Sequence, residues 1–223
     1  MRPELVVFDL DGTLIDSAAD IRRALNLTLA AEGLPGIELD AVRLMIGRGP
    51  EVLLRRALGH LKEPSESARV ERLTTAFRHH YTEQGHDQTV LLPGASECLR
   101  SLTAARISLA VCSNKPTLNC VQVLEDLGVA HHFAVIQGSG DGLPLKPDPA
   151  PLEAIIDKLG ASAQRTLYIG DSETDIATAR AAAVPVVLVS GGYSAAPAEA
   201  LQADWNVAGL AEVPSIWEAP GAS

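Results

Sequence analysis

Short apolar runs separated by helix-period segments constrain this chain most. Leu5-Val6-Val7-Phe8 is followed by Ile107-Ser108-Leu109-Ala110-Val111-Cys112, by Phe133 to Ile136, by Thr166-Leu167-Tyr168-Ile169 and by Pro185 to Val189. A short, nearly continuous apolar run predicts a strand buried on both faces, the environment of a parallel sheet. Helix-period segments fall between the runs, at about 116–128, 150–160 and 174–183. Strand and helix in alternation predict an α/β fold with a doubly wound parallel sheet.

Residues 17–88 break that alternation. They hold no convincing strand, and the stretch is too long for an ordinary crossover. Helical patterns recur instead. Asp40 is expected to N-cap Ala41 to Ile46, Glu51 to Leu61 has helical spacing, and Ser67 to Glu83 forms a third helix. The chain therefore divides into a core, 1–16 and 89–223, and an inserted helical cap, 17–88, with the Pro93-Gly94 turn marking the return.

Polar clusters stand where the strands end. The first run leads into Asp9-Leu10-Asp11-Gly12-Thr13-Leu14, and the second into Ser113-Asn114-Lys115. The loop after the third carries Lys146-Pro147-Asp148-Pro149, and the fourth ends in Gly170-Asp171-Ser172-Glu173-Thr174-Asp175. Ligands of open α/β sheets bind outside the carboxyl ends of the strands, so the four clusters are expected to converge on one crevice. Alternate residues of an extended chain share a face, which directs Asp9 and Asp11 toward one point. Carboxylates that close repel unless a cation lies between them or one is protonated. Asp171 adds a third acid. With no His or Cys among them, oxygen ligands suit a hard cation, and Mg²⁺ is the expected metal.

Charge narrows the partners. The 223 residues carry 18 Lys+Arg against 28 Asp+Glu, a net charge of −10. Such a chain repels nucleic acid and anionic membranes, so neither is an expected partner. An anionic substrate must be met by a metal or by local positive charge, and Lys146 beside its proline is the candidate. No apolar run approaches the roughly 18 residues that cross a bilayer. The N-terminus runs straight into a strand, unlike a signal peptide. Cys98, Cys112 and Cys120 lack CxxC spacing and read as reduced core thiols, so a cytoplasmic location is expected.

DLDGTL at 9–14, Ser113, Lys146 and GDSETD at 170–175 resemble, in that order, the four motifs of the haloacid dehalogenase (HAD) superfamily of phosphatases. The resemblance spans nearly the whole chain, and the helical insert is similar to that superfamily's mobile cap. DLDGTLIDS, CSNK, LKPDPAPL and GDSETDI are most similar to the motifs of its bacterial phosphoglycolate phosphatases. The resemblance implies a Rossmann-like core and a Mg²⁺-dependent phosphomonoester hydrolase acting on a small phosphorylated metabolite. It makes Asp9 the nucleophile that forms an aspartyl-phosphate, and Asp11 the general acid and then base. Asp9, the Asp11 main-chain carbonyl and Asp171 would hold the metal. Asp175 would orient Lys146 or metal-bound water, while Thr13, Ser113, Asn114 and Lys146 would meet the phosphoryl group. Other sugar or nucleotide phosphatases, a phosphosugar mutase of the β-phosphoglucomutase kind and a catalytically silent binding protein are the alternatives. The number of subunits, monomer or homodimer, is not legible.

Several further residues invite a reading. Arg48, in Ile46-Gly47-Arg48-Gly49, is placed to meet a substrate carboxylate or to be a solvated loop arginine. Ser113 doubles as a candidate N-cap for the helix near 116–128. Adjacent histidines diverge by about 100° on a helix, so His79-His80 and His131-His132 are expected at the surface rather than on a metal. Trp205 and Trp217 are expected to pack, Lys62 has nothing around it to suggest a Schiff base, and Gly191-Gly192-Tyr193 is expected to turn near the phosphate.

Overall fold

The computed structural model describes residues 2–194 and 201–216. Six parallel strands form the main sheet: β1 (Leu5–Phe8), β4 (Ser108–Pro116), β5 (Val135–Ser139), β6 (Thr166–Gly170), β7 (Val186–Val189) and β8 (Trp205–Val207). Their spatial order is β5-β4-β1-β6-β7-β8. β1 pairs with both β4 and β6 through all four of its residues, which places the first and fourth polar clusters side by side. All four residues of β1 are buried, and their side chains alternate between the two faces as the pleat requires. Val6 and Phe8 join Leu99 and Leu102 of α5 (Ala95–Ala104) on one face, whereas Leu5 and Val7 join Ile155 and Ile156 of α7 (Ala150–Lys158) on the other. Apolar packing on both faces accounts for a run with no polar residue.

Some local expectations are corrected. The third strand is Val135–Ser139, later than the apolar run Phe133 to Ile136, because Phe133 instead packs edge-on against Phe8. Pro116, not Ser113, is the N-cap of α6 (Thr117–Asp126), because β4 continues through Ser113 to Pro116. Asp40 lies in the first turn of α2 (Leu39–Arg43), whose N-cap is Glu38. Helix α5 and strand β8 were not anticipated. Trp205 sits on that edge strand and is 39% exposed, so it is not a core residue. Trp217 lies outside the described residues. All three cysteines are buried and free, as expected.

Helices α1 (Ala18–Ala30), α2, α3 (Pro50–His60) and α4 (Ser67–Glu83) bury their apolar faces in a separate cluster, with Leu25, Leu29, Leu54, Leu58, Val70 and Phe77 inside. Pro50 opens α3 at a position where its missing N–H costs nothing. The chain enters and leaves this helical unit along a short antiparallel pair, β2 (Ile15–Asp16) and β3 (Val90–Leu91). The crossing is tied down by polar groups. Asp20, fully buried, accepts from the Thr89 hydroxyl at 2.7 Å and from the Gln88 N–H at 3.2 Å. The Tyr193 hydroxyl accepts from the Ser17 and Ala18 N–H groups at 2.9 and 3.1 Å and donates to Asp16 at 2.7 Å. No helix among the described residues is long and apolar enough to cross a membrane.

The Tyr193 hydroxyl accepts from the Ser17 N–H and shares the Ala18 N–H with Asp16 Oδ1, 3.2 Å away. Tyr193→Phe leaves the buried Ser17 N–H without this acceptor and is expected to cost about 1–3 kcal/mol. A urea titration measures this, and an unshifted midpoint would refute the assignment.

Candidate active site

Lys146 is the pivot of the crevice above the sheet. Its buried ammonium lies 2.9 Å from Asp9 Oδ1 and 2.7 Å from Asp175 Oδ1, and donates to the Tyr168 hydroxyl at 2.8 Å. The lysine arrives on a loop, so its backbone needs fixing. Asn114, at the end of β4, does this from both sides: its Oδ1 accepts from Lys146 N at 2.8 Å and its Nδ2 donates to Lys146 O at 3.0 Å. The Asn114 amide also donates to Gly47 O at 3.1 Å, joining the Ile46–Gly49 loop to the core. Its side chain thus ties the Lys146 loop and the Ile46–Gly49 loop to the end of β4.

Asp9, Asp171 and Asp175 have carboxylate oxygens within 4.8 Å of one another. Asp175 is saturated. Its Oδ1 faces Lys146 and the Tyr168 hydroxyl, and its Oδ2 accepts from Ser172 Oγ at 2.6 Å, Ser172 N at 3.1 Å and Asp171 N at 3.2 Å. Ser172 and Asp175 form a capping box at the start of α8 (Glu173–Ala181), which is why the acid stands there. Asp171 accepts from Thr13 Oγ1 at 3.0 Å and Tyr193 N at 2.6 Å. Thr13 is fully buried and its hydroxyl donates to Asp171, so its side chain positions an acid. Close approach here excludes side chains. A Cβ on Gly12, whose φ is +90°, would stand 2.5 Å from Asp171 Oδ2, and one on Gly192 would also meet that carboxylate.

Asp11 stands apart from this triad. β1 ends at Phe8 and the chain turns through Gly12, so the two-residue period no longer applies at Asp11. Its carboxylate bonds Lys115 Nζ at 2.8 and 3.0 Å and Ser17 Oγ at 2.5 Å. The expectation that Asp9 and Asp11 share one point is therefore corrected: each acid has its own lysine. Burial works against the charged form of Lys115, yet Asp11 and Tyr81 raise it well above its ordinary range. Lys115 also lies 4.7 Å from the centre of the Tyr81 ring. Sequence reasoning gave Lys115 no role, because nothing local announces a partner 104 residues away.

A cleft opens between this floor and the helical unit. Asp9, Asp11, Ser113, Asn114 and Lys115 line the floor, and Ile21, Ile46, Leu53 and Phe77 line the wall. Arg48 is exposed and lines a neighbouring recess that also touches Asp11, Asp171 and Arg56. His79 and His131 are exposed, whereas His80 and His132 are half-buried against Thr28 and Thr103.

The donor set fits a divalent cation. Three buried carboxylates face one ammonium, leaving two negative charges unbalanced. Asp9 and Asp171 retain unused lone pairs, and hard oxygen ligands of this kind suit Mg²⁺-class ions.

A family model described as haloacid dehalogenase-like hydrolase matches residues 6–189. The phosphoglycolate phosphatase of Rhodospirillum rubrum is 42% identical over 206 residues, covering 90% of this chain and 85% of that protein. That of Agrobacterium fabrum is 37% identical over 215 residues, 96% of this chain and 92% of that protein. A solved structure from Haemophilus somnus, described as a predicted phosphoglycolate phosphatase, superposes with a TM-score of 0.90 at 30% identity, over 97% of this chain and 99% of that one.

The unbalanced charge gives the site a pH signature. Burial pushes Asp9 from 3.8 up to about 6 despite Lys146, and burial with the charges of Asp175 and Asp9 pushes Asp171 well above the carboxylate range. Between the unfolded and folded values the unfolded chain holds fewer protons, so stability falls as pH rises through that window. The melting temperature without divalent ions is expected to drop from pH 5 to pH 7.5. Added MgCl₂ is expected to raise it more at pH 7.5 than at pH 5. Equal shifts at both pH values would contradict the charge assignment.

Proposed function

The chain belongs to the haloacid dehalogenase-like hydrolase family, and on that premise we propose that it is a Mg²⁺-dependent phosphomonoester hydrolase converting 2-phosphoglycolate and water to glycolate and phosphate. One observation carries the reading. Asp9 is buried yet lines the cleft, with one carboxylate oxygen held by Lys146. The names of the relatives support the substrate.

In this reading Asp9 attacks phosphorus, forming an aspartyl-phosphate as the bond to the leaving oxygen breaks. Asp11 gives the departing alkoxide its proton. It then takes a proton from the water that hydrolyses the acyl phosphate, releasing inorganic phosphate and regenerating Asp9. Lys115 and Ser17 hold Asp11 ready for this exchange. Lys146 neutralises charge on the equatorial oxygens, and Ser113 lines the cleft floor. Asp9, the Asp11 carbonyl and Asp171 would hold Mg²⁺, which supplies electrostatic stabilisation of the transferring phosphoryl group. Asp175 orients Lys146, and Thr13 orients Asp171. The helical unit 17–88 acts as a cap that closes water out of the cleft. The substrate is a small phosphorylated metabolite, met in the cytoplasm.

Asp9→Asn removes the nucleophile while keeping its shape. Phosphate release from 2-phosphoglycolate is expected to fall by orders of magnitude, with the circular dichroism spectrum unchanged. EDTA is expected to abolish wild-type turnover and excess Mg²⁺ to restore it. Activity retained in the variant, or indifferent to EDTA, would remove the mechanism.

A further inference from the structure

Helix α4 presents Phe77, Arg78 and Tyr81 to the cleft, with Tyr81 one turn on from both, at i+4 from Phe77 and i+3 from Arg78. Two of these side chains have donors that nothing in the fold uses. Tyr81 is buried, yet its hydroxyl has no hydrogen-bond partner of sound geometry. Its near polar neighbour, the Lys115 ammonium, only donates. The phenolic proton therefore lacks an acceptor, and burial keeps the phenol protonated by pushing it up to about 12. Arg78 forms no ion pair among the described residues. That is notable in a chain with ten more acids than bases, because Arg69 and Arg72 on the same helix are both tied to Glu32.

Resting on the phosphatase reading above, we propose that this face of α4 is the leaving-group subsite, and that it selects a short leaving group ending in a carboxylate. One carboxylate oxygen accepts from the Tyr81 hydroxyl and the other from the Arg78 guanidinium. The connecting carbon lies against Phe77 and Leu53. Charge decides between a carboxylate and a second phosphate. The Lys115 ammonium is committed to Asp11, so Arg78 is the free cation of this wall among the described residues. One positive charge beside an apolar wall balances a monoanion and leaves a phosphate dianion half-neutralised. The same count disfavours a sugar bisphosphate, the ligand a phosphosugar mutase must turn around. Arg48, exposed over the neighbouring recess, lies outside this cleft lining.

The test compares kcat/KM for 2-phosphoglycolate and for ethyl phosphate, which replaces the carboxylate by a methyl group. Wild type, Arg78→Ala, Arg78→Lys, Tyr81→Phe and Arg48→Ala are measured with Mg²⁺. The ratio of the two substrates is expected to fall about tenfold or more in Arg78→Ala and severalfold in Tyr81→Phe, chiefly through KM for phosphoglycolate. Arg78→Lys is expected to recover part of the ratio, and Arg48→Ala to keep it. Equal losses on both substrates would mark these side chains as structural and overturn the proposal, as would loss of the ratio in Arg48→Ala alone. A wild type that turns over both esters equally well would remove phosphoglycolate as substrate and this subsite with it. A wild-type preference that survives in Arg78→Ala and Tyr81→Phe would remove the subsite alone.

Discussion

A buried ammonium among three carboxylates is the constraint on which the crevice depends. Lys146 touches Asp9 and Asp175, and leaves Asp171 to two uncharged donors. An unpaired charge in such surroundings costs several kcal/mol, so the surroundings are built to hold every member in place. Asn114 clamps the lysine backbone from β4. The Tyr168 hydroxyl, from β6, meets Lys146, Asp175 and the Cys112 carbonyl. Because β4 and β6 both flank β1, sheet register alone brings these groups to Asp9. The apolar alternation along β1 is thus part of the chemistry: slipping it by one residue would move Phe8 and Asp9 to opposite faces.

Two lysines divide the labour between two acids separated by one residue. Asp9 lies with Lys146 in the acid-rich cluster, where negative charge exceeds positive. Asp11 lies with Lys115 and Ser17, where one acid meets one base. Adjacent carboxylates are thereby held in different electrostatic surroundings, a separation that acid–base chemistry on one substrate requires. Neither surrounding is local in sequence, since Lys115 comes from the end of β4 and Lys146 from the loop after β5.

What was legible follows from the same geometry. The α/β fold shows in the sequence because a strand buried on both faces must be apolar throughout, and the polar clusters show because they interrupt that rule at the strand ends. Asp9, Lys146, Asp171 and Asp175 meet for this reason. Strand β8 escaped notice because Trp205-Asn206-Val207 is short, partly polar and lies at the sheet edge. The bond from the Thr13 hydroxyl to Asp171 is invisible in the motif itself, because its acceptor comes from another strand end. Lys115 and Tyr81 carried no signal, since their meaning comes from packing between α4 and β4. An orphaned donor becomes visible only when every neighbour has been placed.

The helical unit contributes to the cleft differently from the core. The core side supplies carboxylates and ammonium groups whose positions are fixed by strand register. The helical side supplies an apolar wall with two unused donors, and it is anchored at a narrow crossing where β2 pairs with β3. Tyr193 belongs to both sides: its N–H holds Asp171 while its hydroxyl caps the start of α1. Substitutions at the crossing act on Asp171 and on the helical unit together. The charged floor and the apolar wall come from different elements, and they meet where Lys115 lies between Asp11 and the Tyr81 ring.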